Sequence, residues 1–225
     1  MSWLARRFYD CFFWFVFTTT TFGYSIRIQG RRNIPKSGPV LLVSNHQSMF
    51  DPVIIGLASP RYLTYLARSS LFKHRIFAII IRILGAFPID RDFGKKGLNE
   101  TLALLHDNRA VLVFPEGERT HDGQIEPFKA GISLIIKKME MPIIPVGLTG
   151  AFAAWPRTRR WPRLAPLFLP ASSANLAISI GNPISSREFQ GLARAELIER
   201  LQQAVAAEVS RARRLCRARH CAQPS

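Results

Sequence analysis

Short, almost wholly apolar runs alternate with longer amphipathic stretches along this chain, and that alternation predicts its elements. Residues 39–44 and 62–67 are brief runs of the kind a sheet buries on both faces. Residues 71–84 form a longer apolar stretch interrupted by Lys73, His74, Arg75 and Arg82, which reads as a helix ended by Gly85. A short strand over 86–89, a helix over 97–107 and a strand over 110–114 follow. Beyond them the pattern predicts a helix over 131–139, strands over 142–148 and 175–180, and a long amphipathic helix over 193–214. Residues 155–170, rich in proline and arginine, read as a surface loop. Strands alternating with helices imply an α/β fold, a largely parallel mixed sheet flanked by helices.

The N-terminus reads differently. Residues 11–25 carry no charge, but as a helix they would rise only about 22 Å against a hydrocarbon core of about 30 Å. The four threonines Thr18 to Thr21 weaken a span further, and arginines on both flanks (Arg6, Arg7, Arg27, Arg31, Arg32) remove the asymmetry that orients one. The aromatic run Phe12-Phe13-Trp14-Phe15, continued by Phe17 and Phe22, suits a helical segment lying at headgroup depth. A cleaved signal peptide fits less well, since no small-residue cleavage site follows the apolar part.

Composition narrows the partners without choosing one. The 225 residues are 48% hydrophobic, enough for one α/β core with a small appendage. The formal net charge of +16 demands an acidic partner: nucleic acid, anionic lipid, coenzyme phosphates or an acidic carrier protein. Arg157, Arg159, Arg160 and Arg163 alternate with Trp155 and Trp161, a common membrane-interface arrangement, although each basic run also fits a solvated surface. Cys11, Cys216 and Cys221 lie near the chain ends, which fits a reducing compartment better than a disulfide framework and argues against a cysteine nucleophile or zinc ribbon.

Candidate chemistry begins at Asn45-His46-Gln47-Ser48-Met49-Phe50-Asp51-Pro52, after one expected strand and before an expected helix. Loops at strand ends carry chemistry in α/β proteins, and histidine accepts protons near neutrality while a carboxylate fixes its tautomer. Five residues on one regular helix amount to about 500° of rotation, so His46 and Asp51 need a turn between them to meet. Pro52 agrees with such a turn, and Asp51 then reads as a helix N-cap. The same residues also fit a plain Asp-Pro helix start beside a loop histidine.

Two more polar loops follow strands, Pro88-Ile89-Asp90-Arg91-Asp92 and Pro115-Glu116-Gly117-Glu118-Arg119-Thr120-His121-Asp122-Gly123. In a parallel sheet all three would open on one edge. Arg91 and Arg119 offer planar forks suited to phosphate, and Gly117 lets the backbone approach a ligand. Ion pairing with Asp90, Asp92, Glu116 and Glu118 is the purely structural alternative.

Asn45-His46 with Asp51, Gly85-Ala86-Phe87-Pro88-Ile89-Asp90-Arg91, Phe114-Pro115-Glu116-Gly117-Glu118-Arg119-Thr120 and Ile143-Ile144-Pro145-Val146-Gly147 resemble, in order and spacing, the four motif blocks of the glycerolipid acyltransferases, the 1-acyl-glycerol-3-phosphate acyltransferase family. The resemblance covers roughly residues 30–185. It implies acyl transfer from acyl-CoA or acyl-carrier protein to the hydroxyl of a lysophosphatidate-type acceptor, on the cytoplasmic face of a membrane, with no metal and no cofactor beyond the thioester. His46 would be the base and Asp51 its partner. Arg91, Glu116, Gly117 and Arg119 would form the acceptor-phosphate site, and Pro145 would lie on the acyl-chain side. Glu118 departs from the family pattern, which usually has a small residue there; a carboxylate should repel phosphate unless Arg119, Lys129 or another cation neutralises it. The implied organisation is a membrane-associating segment over 1–30, a catalytic domain over 31–190 and a C-terminal helix with a basic tail over 191–225.

Other readings are weaker. Another lyso-lipid acceptor, phospholipid or aminolipid, stays open. A metal hydrolase using His46, Asp51 and Glu116 lacks HExxH or paired-histidine spacing. A nucleic-acid-binding protein lacks an aromatic platform or basic recognition helix, and the Phe-rich N-terminus suits lipid better. The stripe Phe77, Ile80, Ile81 and Leu84 fits either an acyl tunnel or ordinary core.

Overall fold

The computed structural model describes residues 3–89, 95–159 and 161–216. Its frame is one eight-stranded mixed sheet in the order β1-β7-β6-β2-β5-β3-β4, with β8 paired to β6. The strands are β1 (Arg27–Gln29), β2 (Val40–Ser44), β3 (Leu63–Arg68), β4 (Ala86–Ile89), β5 (Ala110–Val113), β6 (Pro142–Thr149), β7 (Ala177–Ile180) and β8 (Ile184–Ser185). Strands β4, β3, β5, β2 and β6 run parallel, whereas β7 and β8 are antiparallel to β6 and β1 follows β7. All residues of β2 and β5 are buried, as expected of central parallel strands covered on both faces.

One face is closed by α4 (Lys95–His106), α5 (Gly131–Lys138) and α7 (Arg194–Leu215). Leu197, Leu201, Val205 and Val209 repeat every four residues along α7 and pack with Leu41, Val43, Ile135 and Ile143. Gly147 brings α7 close to β6: a Cβ there would stand 2.1 Å from backbone atoms of Glu208 and Val209. Glu208, buried on α7, is satisfied by the Ser179 hydroxyl at 2.6 Å and by Arg211.

The other face carries α1 (Trp3–Tyr24), α2 (Asp51–Ala58) and the single turn α6 (Ala151–Ala154). Helix α1 docks through Tyr9, whose ring lies 4.1 Å from that of Tyr62, and through Phe13 against Gly56 of α2. Thr18, Thr19 and Thr20 are accommodated because their hydroxyls donate back to carbonyls three and four residues earlier. Among the described residues no helix is long and apolar enough to cross a membrane.

The structure departs from the expected pattern at several places. The single helix expected over 71–84 is a 3-10 turn over Ser69–Lys73, an extended His74, and α3 (Arg75–Ile83), after which Gly85 turns the chain with φ +98°. Strand β1 is too short to show any period. Among the described residues Cys11 is a free thiol and Cys216 is disulfide-bonded.

Candidate active site

Strands β2, β3, β4 and β5 are mutually parallel, so the loops after them emerge on one edge of the sheet. The loop after β2 is pinned first. Asn45 donates to the Leu148 carbonyl at 3.0 Å and accepts the Leu148 N–H at 2.9 Å, holding the chain against β6. Gln47 donates to the Gly123 carbonyl at 3.1 Å. Ser48 donates its hydroxyl proton to the Trp155 carbonyl at 3.0 Å.

His46 and Asp51 meet across this loop. The imidazole Nδ1 lies 2.8 Å from Asp51 Oδ2, the carboxylate fully buried and the histidine side chain 18% exposed. Asp51 does not cap α2 as its position before proline led us to expect. It is the first residue of the helix, and Oδ2 turns back to accept the N–H groups of Gln47 and Ser48 at 2.5 and 2.7 Å. An oxygen already accepting two N–H bonds acts as an acceptor toward the ring as well, which puts the proton on Nδ1 and leaves Nε2 as the basic nitrogen. The imidazole stacks on Phe114, ring centroids 4.1 Å apart, which restricts its rotation.

The loop after β5 wraps this pair. Thr120 N–H donates to the His46 carbonyl at 2.8 Å, and Glu116 Oε1 accepts the His46 N–H at 2.8 Å. The other Glu116 oxygen accepts the Glu126 N–H at 3.3 Å, so this 2%-exposed carboxyl faces the interior of the loops rather than the opening. Burial pushes it up to about 8, outweighing the two N–H donors that favour the ionised form, and Asp51 adds to the rise. Glu116 is therefore a tie that holds His46. Gly117 occupies the left-handed region at φ +77°, which favours glycine at this turn, and the flexible end of the Lys129 side chain lies over it.

Arg119 is half-buried. Burial, then the neighbouring Arg157, then Arg68 at the end of β3 hold its guanidinium below the ordinary value, opposed by Asp51. His46, Asp51, Gly117 and Arg119 thus converge at one edge. Arg91 lies outside the described residues. Pro145 is buried in β6 beside Gly181 and Glu208, on the face that α7 covers.

Beside the His46 loop, on the opposite face from Pro145, is an apolar cavity of about 370 Å³. Phe12, Phe15 and Val16 of α1 roof it, Val53 and Ile54 of α2 form one wall, and Ser48 and Phe50 of the His46 loop join its lining. The stripe on α3 does not line it. Sequence spacing had no signal for this cavity, nor for Asn45, Gln47 and Arg157, because their partners are more than 30 residues away.

A sequence model of the acyltransferase family matches residues 25–149, the stretch from β1 through β6 that carries His46, Asp51, Glu116, Gly117, Arg119 and Pro145. The chain belongs to the acyltransferase family. It is 30% identical over 131 residues to a chloroplastic 1-acyl-sn-glycerol-3-phosphate acyltransferase of Brassica napus, covering 56% of this chain and 38% of that protein. To the 1-acyl-sn-glycerol-3-phosphate acyltransferase of Streptococcus pneumoniae it is 35% identical over 113 residues, 49% of this chain and 41% of that one. The aligned segments thus span less than half of these two relatives. The fold is also similar to the crystal structure of the 1-acyl-sn-glycerophosphate (LPA) acyltransferase PlsC from Thermotoga maritima, with a TM-score of 0.71 and 25% identity over 91% of this chain and 78% of that one.

Proposed function

We propose that this protein is an O-acyltransferase that moves a fatty acyl group from acyl-CoA or acyl-carrier protein to the free hydroxyl of lysophosphatidate, giving phosphatidate. The observation that carries this is the 2.8 Å His46–Asp51 contact, held at the edge of a parallel sheet beside Arg119. The acceptor hydroxyl gives its proton to His46 Nε2 as its oxygen attacks the thioester carbonyl, and Asp51 stabilises the imidazolium. The tetrahedral intermediate then expels the thiolate, which takes that proton and leaves the imidazole neutral. Direct transfer is favoured over an acyl-enzyme because the Ser48 hydroxyl is engaged with the Trp155 carbonyl rather than with His46.

In this reading Arg119 and Arg91 hold the acceptor phosphate, Gly117 and Lys129 shape that end, and Glu116 positions the base. The cavity roofed by α1 suits an acyl chain, being apolar and adjoining the His46 loop. Trp14, Phe15, Phe17 and Phe22 of α1, with Leu164 and Phe168 beyond the sheet, leave an exposed aromatic and aliphatic surface. That surface and the net charge of +16 suit docking on an anionic cytoplasmic leaflet. The reaction as written uses no metal and no cofactor beyond the thioester.

The test is an acyl-transfer assay of membrane-bound protein with a panel of lyso-acceptors against both thioester donors. Phosphatidate formed from lysophosphatidate, and lost in His46→Ala, is the expected result. Transfer only to a phosphate-free acceptor, or a radiolabelled acyl-enzyme trapped without acceptor, would overturn the substrate or the direct route respectively.

A further inference from the structure

Glu118 puts a carboxylate between Gly117 and Arg119, where it should repel the phosphate that Arg119 is proposed to hold. The residue that answers it comes from outside the matched family segment. Arg157, on the loop after α6, points a guanidinium nitrogen at Glu118 Oε2 from 3.6 Å. The same nitrogen donates to the Arg119 carbonyl at 3.3 Å and to His121 Nε2 at 2.9 Å.

Arg157 is not simply one more arginine of a basic loop. Its segment is latched to the loop that carries the base: Ser48 holds the Trp155 carbonyl, the Phe50 and Trp155 rings lie 4.5 Å apart, and Phe152 N–H reaches the Gln47 side chain at 3.4 Å. Two residues after Trp155, Arg157 is thereby kept in register with His46, its side chain 34% exposed. Arg159, in the same loop, is exposed as Arg157 is, and its carbonyl accepts the Trp155 indole N–H at 2.9 Å.

Resting on the acceptor reading above, we infer that Arg157 is a second headgroup-binding guanidinium which, with Arg119, selects acceptors bearing a phosphomonoester, and that Glu118 sets the threshold by competing for it. The 3.6 Å separation of Arg157 from Glu118 exceeds the roughly 2.7–2.9 Å of a strong charge-assisted bond, so the pair is loose and exchangeable. A phosphomonoester carries about −1.5 to −2 charges at neutral pH and three terminal oxygens, and it outcompetes one carboxylate for the fork. A zwitterionic phosphodiester headgroup has one negative charge and a cation attached, and it does not displace Glu118. Glu118 thus acts as a filter: it neutralises Arg157 toward weakly anionic headgroups and yields it to a dianion.

Steady-state kinetics with lysophosphatidate and with lysophosphatidylethanolamine test this on wild type, Arg157→Ala, Arg157→Lys, Glu118→Thr, the double variant Arg157→Ala/Glu118→Thr, and Arg159→Ala as a control from the same loop. Arg157→Ala should raise KM for lysophosphatidate by about tenfold or more, the scale of one charge-assisted hydrogen bond, with kcat and donor KM little changed. Arg157→Lys should recover only part of this, because an ammonium lacks the planar fork. Glu118→Thr should lower KM for lysophosphatidate, and the loss caused by Arg157→Ala should be smaller in that background, where no carboxylate is left exposed. A KM rise no larger than in Arg159→Ala, or one equal for both acceptors, overturns the proposal, as does a purely structural signature in which kcat and thermal stability fall together. A wild-type enzyme inert toward lysophosphatidate overturns the acceptor reading itself, and the wild-type rate alone identifies that outcome.

Discussion

The two faces of the sheet are built to different degrees of closure. On the α7 side, Leu197, Leu201 and Val205 are fully buried and the helix backbone rests on Gly147. On the α1 side, the roofing helix buries Tyr9 but leaves Trp14 and Phe15 exposed by 71% and 61%, and a cavity remains beneath it. The contrast teaches a division of labour. The closed face supplies packing that holds the strands in place, and the open face supplies apolar space and surface where an amphiphilic substrate could enter. The His46–Asp51 pair sits at the strand ends between them, its loop contributing to the cavity wall on one side and bound to the β5 loop on the other.

Substitutions can break or sharpen that contrast. The largest effect is expected at the boundary: His46→Ala should lower turnover by about 10²-fold or more, with an unchanged melting temperature. A melting temperature that fell with activity would show that the pair serves the fold. On the closed face, Gly147→Ala pushes a methyl into the α7 backbone and should cost about 1–3 kcal/mol or more, read by denaturant unfolding. Leu201→Ala should cost about 2–5 kcal/mol in the same measurement while leaving kcat of the folded fraction intact.

Glu116 offers a pH-dependent test of the boundary. Its carboxyl is pushed up to about 8 by burial, against about 4.3 in an unfolded chain. Between those values the folded protein keeps a proton that the unfolded chain has released. Its stabilising contribution is therefore complete below about pH 4.3 and declines as pH rises toward 8. Glu116→Gln should flatten that decline, so its melting temperature should gain on wild type from pH 5 to pH 8; parallel profiles would contradict the buried acid. The smallest stability effect belongs to the open face. Trp14→Ser with Phe17→Ser should leave the melting temperature nearly unchanged while reducing flotation with anionic liposomes, and undiminished flotation would remove α1 from the docking surface.

The fold was legible where burial is symmetrical and local. The runs at 39–44, 110–114 and 142–148 lie within a residue or so of β2, β5 and β6, because central parallel strands are apolar on both faces. The His46–Asp51 contact was legible too, since five residues with a turn between them can meet without help from the rest of the chain. The orientation of Glu116 was not: the family resemblance implied a place in the acceptor-phosphate site, whereas its oxygens accept backbone N–H groups of the His46 loop and of its own loop. Asp51 was read as a cap because the Asp-Pro signal describes the helix ahead of it, but its oxygen is taken by the loop behind it.

Taken alone, the amino-acid order determined the central buried strands, most of the amphipathic helices, and that an imidazole and a carboxylate stand one turn apart after a strand. Periodicity, proline and glycine act over a few residues, and those outcomes need nothing more. Tertiary structure decided which cation faces Glu118, which side of the sheet Pro145 lies on, and that α1 roofs a cavity next to the His46 loop. Each of these joins groups far apart in the chain, so each depends on how helices pack on the sheet, and no local preference encodes that.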